Sequence, residues 1–426
     1  MNTKSKRRIL FRAFLVAFLL GLVSLMSLVV AVSISPSTGT IGADLLRNLI
    51  GPKMVANLEA VVFTVQDIVH QTLYKVERRT PSAPWEVSIT QAISPSATWF
   101  PGMVVSTSQV ATINPTYIPP TAQPRSSATP QKPTPTPNLN QTPTQIAWAP
   151  ASVPPFGSTP GEGVWSVYIK DQSNNILAYR TFLYPDPKRP YGVVGIVAFD
   201  LTRVRLHYQL GTHEPAGNVK VPQTGQIPSN NLQPGILLAA FNGGFRTVNG
   251  HFGVFADGKV IVPPIDHLAT IAFYKDGSLR IGEWGVDLTF TPDMVVYRQN
   301  CPLMVHDGQI NPQVYDNSVN DWGGTISGNI VTFRSGIGIS QDGRKLYYFA
   351  GNSLAMPYLA KAMWNVGAYQ AMQLDINNYY VLFTRFVIKD NQLMADPLLP
   401  KEMVDNLSRY QGSYSRDFFY VTRIHQ

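Results

Sequence analysis

Hydrophobic and polar positions divide the chain into four textures. From Ala13 to Val32 the residues are apolar apart from Gly21, Ser24 and Ser27, with no polar face. About twenty such residues, at ~1.5 Å each, cross a hydrocarbon core of ~30 Å, so a transmembrane helix is expected over residues 13–34. A cleaved signal peptide is the alternative, since Ala31-Val32-Ser33 loosely fits a cleavage site, although the apolar run is long for one. In residues 41–80, Leu45, Leu46, Leu49, Ile50, Val55, Leu58, Val61 and Val62 recur at helical spacing. They predict a juxtamembrane amphipathic helix broken at Gly51-Pro52. Such a helix pairs with a second copy, lies on a bilayer surface or packs on another element, and the spacing does not choose among these.

Residues 87–160 show no period. Fifteen of the 34 prolines fall there, and only Arg125 and Lys132 are charged. Proline fixes φ and removes a backbone donor, so no packed core is expected. Extended at ~3.1 Å per residue, the segment would reach on the order of 100–200 Å, which reads as a spacer. Its Ser/Thr/Pro composition leaves O-glycosylation open.

From residue 161 onward, short β-rich runs alternate with turns: Val164–Ile169, Ile176–Leu183, Val193–Asp200, Val204–Tyr208 and Ile236–Phe241. Asp257-Gly258, Asp276-Gly277 and Asp342-Gly343 between apolar alternations mark three hairpins. A helix from Ser353, with Leu354, Leu359, Met363 and Val366 on one face, is predicted to end at Gly367. A strand Tyr369–Asp375, a last helix near Lys401–Tyr410 and a terminal strand Phe418–Ile424 complete the pattern. The expected class is α+β, a mixed sheet with few helices over residues 161–426, preceded by the transmembrane helix and the proline-rich linker.

Composition changes this picture little. Hydrophobic residues make up 44% of the 426 and charged ones only 14%, the shortfall lying in the apolar run and the linker. The net charge of +8 is mostly a basic head over residues 1–12: Lys4, Lys6, Arg7, Arg8 and Arg12 precede the first acidic residue, Asp44. Without those five of the 34 basic residues, 29 face 26 acidic ones, which does not point to nucleic acid. A basic head stays cytoplasmic, so a single-pass cell-membrane protein with its C-terminal domain outside the cytoplasm is expected. Cys301 stands alone and the seven histidines are scattered, so no cofactor is expected, and a divalent metal assembled by the fold is left open.

No nucleophile elbow, phosphate loop or His-Glu-x-x-His signature is present. Four other features stand out. Ala239-Ala-Phe-Asn242-Gly243-Gly244-Phe245 is a buried-looking strand running into paired glycines, which let backbone approach a ligand closely. Asn300-Cys-Pro-Leu-Met-Val-His306-Asp307-Gly308, Phe333-Arg334-Ser335-Gly336-Ile-Gly338 and Met372-Gln-Leu374-Asp375 follow. Each has an ordinary reading as a turn, a structural ion pair or a cap.

In this order, with Asp342-Gly-Arg344 and Gly367-Ala368 between, they resemble the phosphodiester glycosidase family over about Val193 to Phe386. The resemblance implies cleavage of a sugar from a phosphodiester, with a carbohydrate or sugar-phosphate substrate. It implies Asp375 and Arg334 as catalytic residues, the first a carboxylate near oxocarbenium charge or an attacking water, the second a bidentate phosphate ligand. Asn242, Gly243, Gly244, Arg246 and Asp307 would bind substrate. Where the family pattern closes on Leu-Asp-Gly-Gly-Gly-Ser, this chain has Ile376-Asn377-Asn378-Tyr379, and His306 stands where arginine is frequent. The second departure weakens phosphate binding, and the loss of the glycine loop favours the alternative of an inactive glycan-binding or envelope-organising module.

Overall fold

The computed structural model describes residues 51–78, 80–86, 148–316, 322, 330–390 and 392–424. A long helix, α1 (Pro52–Val76), comes first. The strands that follow are β1 (Ser166–Lys170), β2 (Ile176–Leu183), β3 (Val194–Asp200), β4 (Val204–Gln209) and β5 (Leu237–Asn242). Then come β6 (Val254–Ala256), β7 (Lys259–Val262), β8 (Ala269–Tyr274), β9 (Leu279–Glu283) and β10 (Met294–Gln299). Next are β11 (Leu303–His306), β12 (Gln309–Ile310), β13 (Thr332–Ile339), β14 (Lys345–Leu354) and helix α2 (Met356–Asn365). The last are β15 (Gln370–Ile376), β16 (Phe383–Lys389), β17 (Gln392–Pro397) and β18 (Phe418–Arg423).

Three antiparallel sheets result. The largest has the order β1-β2-β3-β14-β13-β15-β11-β12, and the others are β17-β16-β5-β18-β4 and β7-β6-β10-β8-β9. The first two share one core. Phe241 of β5 stacks on Phe383 of β16 at 5.9 Å and meets Tyr348 of β14 at 4.6 Å. Phe419 of β18 joins it at 5.6 Å. β3, β5, β13 and β15 are buried along their whole length, which is why they read as continuous apolar runs rather than alternations.

The expected α+β class with a mixed sheet is corrected: the described chain is mostly β, antiparallel in every strand ladder, with two α-helices. The helix expected near Lys401–Tyr410 is absent because turns and a short 3-10 turn, Arg409–Gln411, occupy that segment. Ser353 does not cap α2; it extends β14 with φ 57°, and Ala355 stands at the N-cap without a side-chain bond. The expected membrane anchor is corrected as well: no helix among the described residues is long and apolar enough to cross a membrane. The span expected at 13–34, the basic head and residues 87–147 of the linker lie outside the described residues. α1 has the length, but Glu59, Asp67 and Lys75 punctuate it.

α1 packs on the β domain. Arg189 Nε donates to Asp67 Oδ1 at 2.7 Å, Tyr74 meets Tyr191 at 5.1 Å, and Val55 and Val62 are buried. The segment after it continues the seam: Tyr184 donates its hydroxyl to Ser82 O at 2.6 Å, and Trp85 packs edge-on against Phe182 beneath the Arg180 guanidinium. Leu58, Val61 and Ile68 remain exposed on the opposite side.

α2 lies across β13 and β14 and sets a steric rule for the Arg-Ser-Gly segment. A Cβ on Gly336 would fall 2.1 Å from Met363 Cε of α2 and 2.8 Å from Met372 O of β15. The methionine can turn aside; the carbonyl, held in the ladder, cannot. Gly336→Ala should therefore destabilise the fold by about 1–3 kcal/mol, read as a lower urea midpoint with an unchanged m-value.

Candidate functional site

β5 ends at Asn242 and β15 ends at Ile376, and the two sheets meet between these ends. Asp375 N donates to Gly243 O at 3.0 Å, and Asn242 N donates to Leu382 O at 3.1 Å. The link continues through side chains. Asn242 Nδ2 donates to Ser335 Oγ at 2.9 Å, Ser335 Oγ donates to Asp375 O at 2.7 Å, and Tyr348 donates its hydroxyl to Asn242 Oδ1 at 3.0 Å. All four residues are buried.

The Asp375 carboxylate meets Arg416, whose Nη2 lies 2.5 Å from Oδ2. Its other oxygen accepts Ile376 N at 2.9 Å. Burial pushes its pKa up to about 6, although Arg416 and that amide pull it down; the nearby Asp417 adds to the rise. Burial also works against the Arg416 cation, but the Asp375 charge outweighs it and holds Arg416 above its ordinary value. Tyr380 covers this pair, its ring 3.9 Å from the Arg416 guanidinium carbon.

A second ion pair lies beside the first. Arg298 Nε donates to Asp417 Oδ2 at 2.8 Å, with 2% and 1% of the two side chains exposed. Arg298 also donates to Gln299 O and Phe245 O, and Tyr208 donates to Asp417 Oδ2 at 3.1 Å. Gly243 N donates to Asp417 O at 3.1 Å. Asp417 Oδ1 is buried without a hydrogen-bond partner among the described residues.

The residues expected at the site separate into two groups. Asn242, Gly243, Gly244 and Asp375 converge, joined by Arg416, Asp417, Arg298, Ser335, Tyr348 and Tyr380. Arg334 does not reach the carboxylate through any of the bonds described for its side chain. It is fully buried, donating to Leu354 O at 3.0 Å, Ile330 O at 2.7 Å and Gln373 Oε1 at 2.8 Å, and burial lowers its pKa to about 10. Those bonds tie strand ends together. Arg246 pairs with Glu214 at 3.1 Å, and Glu214 also accepts Thr247 N and Ala216 N. Asp307 is exposed in the β11–β12 turn with φ 49° and accepts Gln370 Nε2 at 2.9 Å. Gln370 begins β15 and Asp375 nearly ends it, so at ~3.3 Å per residue about 16 Å of strand separates them. His306 lies near Asp287 and Glu283, at 3.0 Å and 3.7 Å, on the same turn; the Asp287 contact lacks hydrogen-bond alignment.

The loop after Asp375 keeps its turn without glycine. Asn377 takes φ 90°, its N donates to Phe333 O, and its carbonyl accepts Tyr380 N and Val381 N. A cavity of about 110 Å³ opens beside it, lined by Asn377, Asn378, Thr332, Asn352 and the α1 residues Phe63 and His70. Among the described residues no group of His, Cys, Asp and Glu has the arrangement to hold a metal ion. Arg416, Asp417 and Arg298 were not singled out by the sequence. Their signal is faint: a charged pair directly before β18 and a single arginine near the end of β10.

Residues 236–375 match the profile of a family described as phosphodiester glycosidase. The match begins one residue before β5 and ends on Asp375, inside the span of the resemblance read from the motifs, which it bears out. The solved structures that match include the following three. One is the zebrafish N-acetylglucosamine-1-phosphodiester alpha-N-acetylglucosaminidase catalytic domain auto-inhibited by pro-peptide, at 17% identity and a TM-score of 0.38, covering 60% of this chain and 86% of that one. A hypothetical protein from Synechocystis aligns at 9% and 0.32 over 58% and 62%. A putative exported protein from Burkholderia pseudomallei aligns at 11% and 0.28 over 55% and 74%. No curated protein matches.

The Arg298–Asp417 pair sits under the paired glycines and is almost wholly buried. Removing one charge from such a pair leaves the other buried and uncompensated, at a cost of about 3–5 kcal/mol. Arg298→Met should lower stability by that order, measured by chemical denaturation, whereas Arg205→Met on the exposed side of β4 should change it by less than ~0.5 kcal/mol.

Proposed function

We propose that this domain hydrolyses the glycosidic bond of sugar phosphodiesters, taking the match of residues 236–375 to the phosphodiester glycosidase family as premise. The observation that carries the reading is a carboxylate, Asp375, buried at the end of a central strand with a pKa near neutrality and a guanidinium at 2.5 Å. Breaking a sugar–phosphate bond at the anomeric carbon builds positive charge on the sugar and negative charge on the departing phosphate. A carboxylate opposes the first and a cation the second, each most effective where water is excluded.

Asp375 takes the carboxylate role, facing oxocarbenium charge or activating water. Arg416, rather than Arg334, is the cation beside it. Arg334 serves as the residue that fixes the ends of β13, β14 and β15. The Asn242-Gly243-Gly244 turn offers backbone close to the carboxylate, and Asp417 holds that turn in place through Gly243 N. Arg246 and Asp307 lie on Glu214 and on the far end of β15, and neither enters this scheme.

A second reading, a glycan-binding module without turnover, is favoured by one observation: Tyr380, just past the positions where the family pattern has glycines, lies over the Arg416 guanidinium that pairs with Asp375. The two readings separate in one assay. Purified protein mixed with UDP-N-acetylglucosamine or another sugar phosphodiester should release free sugar, and Asp375→Asn should cut the rate by at least about a hundredfold. Binding of unchanged ligand, with no release from either protein, would favour the second reading.

The ionised carboxylate is the working form in this mechanism. Because burial raises its pKa to about 6, log(rate) should rise with pH at about one unit per unit below pH 6 and level off above it. Arg416 lowers that pKa, so in Arg416→Gln the rising limb should move to higher pH, read from kcat/KM across pH 4–9.

A further inference from the structure

We propose that a polar cavity at the opposite end of β4 and β18 from Asp375 binds a tetrahedral oxyanion of the phosphate class. The cavity, about 250 Å³, lies between the β1–β2 turn and the ends of the two strands. Asp171, Ser173, Asn175, Arg203 and Arg423 line it, with Leu177 and Ile424 as its apolar floor. At about 30 Å³ per water, it has room for such an anion and several waters.

Two guanidiniums face this space and neither is well matched by protein. Arg423 ends β18, opposite Val204 at the start of β4, and its Nε is buried without a hydrogen-bond partner among the described residues. Arg203 reaches Asp200 only at 3.5 Å. Asp200 is held more closely by Arg344, at 3.0 and 3.1 Å, and by Thr202. A buried donor left unpaired is costly, and a guanidinium presents its donors in a fork that suits phosphate oxygens.

The one carboxylate in the lining does not fill the role. Asp171 Oδ1 accepts Ser173 N and Asn175 N at 2.9 and 2.8 Å, and Oδ2 accepts Asn175 Nδ2 at 2.9 Å. Burial opposes its charge, but these bonds and the field of Arg423 hold its pKa below the ordinary carboxylate value. It is a turn-forming anion whose lone pairs point into its own loop. Asp417 immediately precedes β18 and Arg423 ends it, so at ~3.3 Å per residue about 20 Å separates this cavity from the carboxylate site. The proposal is therefore independent of any reaction at Asp375.

Inorganic phosphate titrated into the whole protein, followed calorimetrically at low ionic strength, tests this. In the Arg416→Gln protein, which removes the cation beside Asp375, one saturable site is still expected, with affinity falling at least tenfold when Arg423→Gln or Arg203→Gln is added. Asp171→Asn should act in the other direction: its amide oxygen still accepts the Ser173 and Asn175 amides, while the nearest negative charge is gone, so phosphate should bind more tightly. Phosphate should also raise the melting temperature of Arg416→Gln and not that of the same protein carrying Arg423→Gln. Absence of saturable binding up to tens of millimolar, or unchanged affinity in an Arg423→Gln variant that melts as the parent does, would overturn the assignment.

Discussion

Glycine at positions 243 and 244 is the constraint on which the junction of the two large sheets depends. A Cβ at 243 would lie 2.6 Å from Asp417 Oδ2, and one at 244 would lie 2.9 Å from the Arg298 guanidinium carbon. No side chain fits there, so the backbone of the β5 turn lies directly against the buried ions. That contact lets Gly243 O accept Asp375 N and Gly243 N donate to Asp417 O. One residue thereby stitches the end of β15 to the start of β18, and the two sheets to each other.

The ions themselves follow from that geometry. An isolated buried charge costs several kcal/mol, so each one near the turn must find a partner. Asp417 finds Arg298, Tyr208 and, at 3.5 Å, the Gly244 amide, and Asp375 finds Arg416 and the Ile376 amide. The partners of Asp375 do not fully offset its burial, since its pKa still rises to about 6 while that of a well-paired carboxylate such as Asp200 falls. A buried ionised group whose partners do not fully offset its burial is a common property of reacting sites.

Local signals made most of the strands legible. Apolar alternation placed β2 to β5 within a residue, and the Asp-Gly turns marked the hairpins β6–β7, β8–β9 and β13–β14. Helices were over-read. Met403 and Tyr410 are buried at helical spacing, but they belong to a turn-rich cover over β16, where no run of backbone bonds forms. The candidate site was half legible. Asn242, Gly243, Gly244 and Asp375 sit at strand ends, where a motif carries its own geometry. Arg334 looked like a ligand for the same reason that any arginine entering a buried strand does: its charge demands partners. Sequence does not tell whether those partners are carbonyls, as here, or a substrate. Arg416 and Asp417 come from the segment just before β18, more than forty residues beyond Asp375, and only the pairing of β18 with β5 brings them in.

The loop after Asp375 links the altered sequence to the chemistry. Asparagine at 377 tolerates the positive φ that glycine would take, so the turn keeps its backbone. The side chains beyond it do not leave the space empty, and Tyr380 lies on Arg416. A phosphate that binds Arg416 must then displace a carboxylate and slide beneath or move an aromatic ring, which makes the site selective for ligands whose anion outcompetes Asp375. The displacement has an electrostatic consequence. With Arg416 drawn toward phosphate, Asp375 loses the charge that lowers its pKa, and the phosphate adds one that raises it further. Its proton affinity therefore increases on binding, and the limb set by the free protein in kcat/KM must lie at lower pH than the limb set by the complex in kcat. An inert module whose Arg416 stays on Asp375 has no such coupling, because nothing then exchanges one anion for another at that guanidinium.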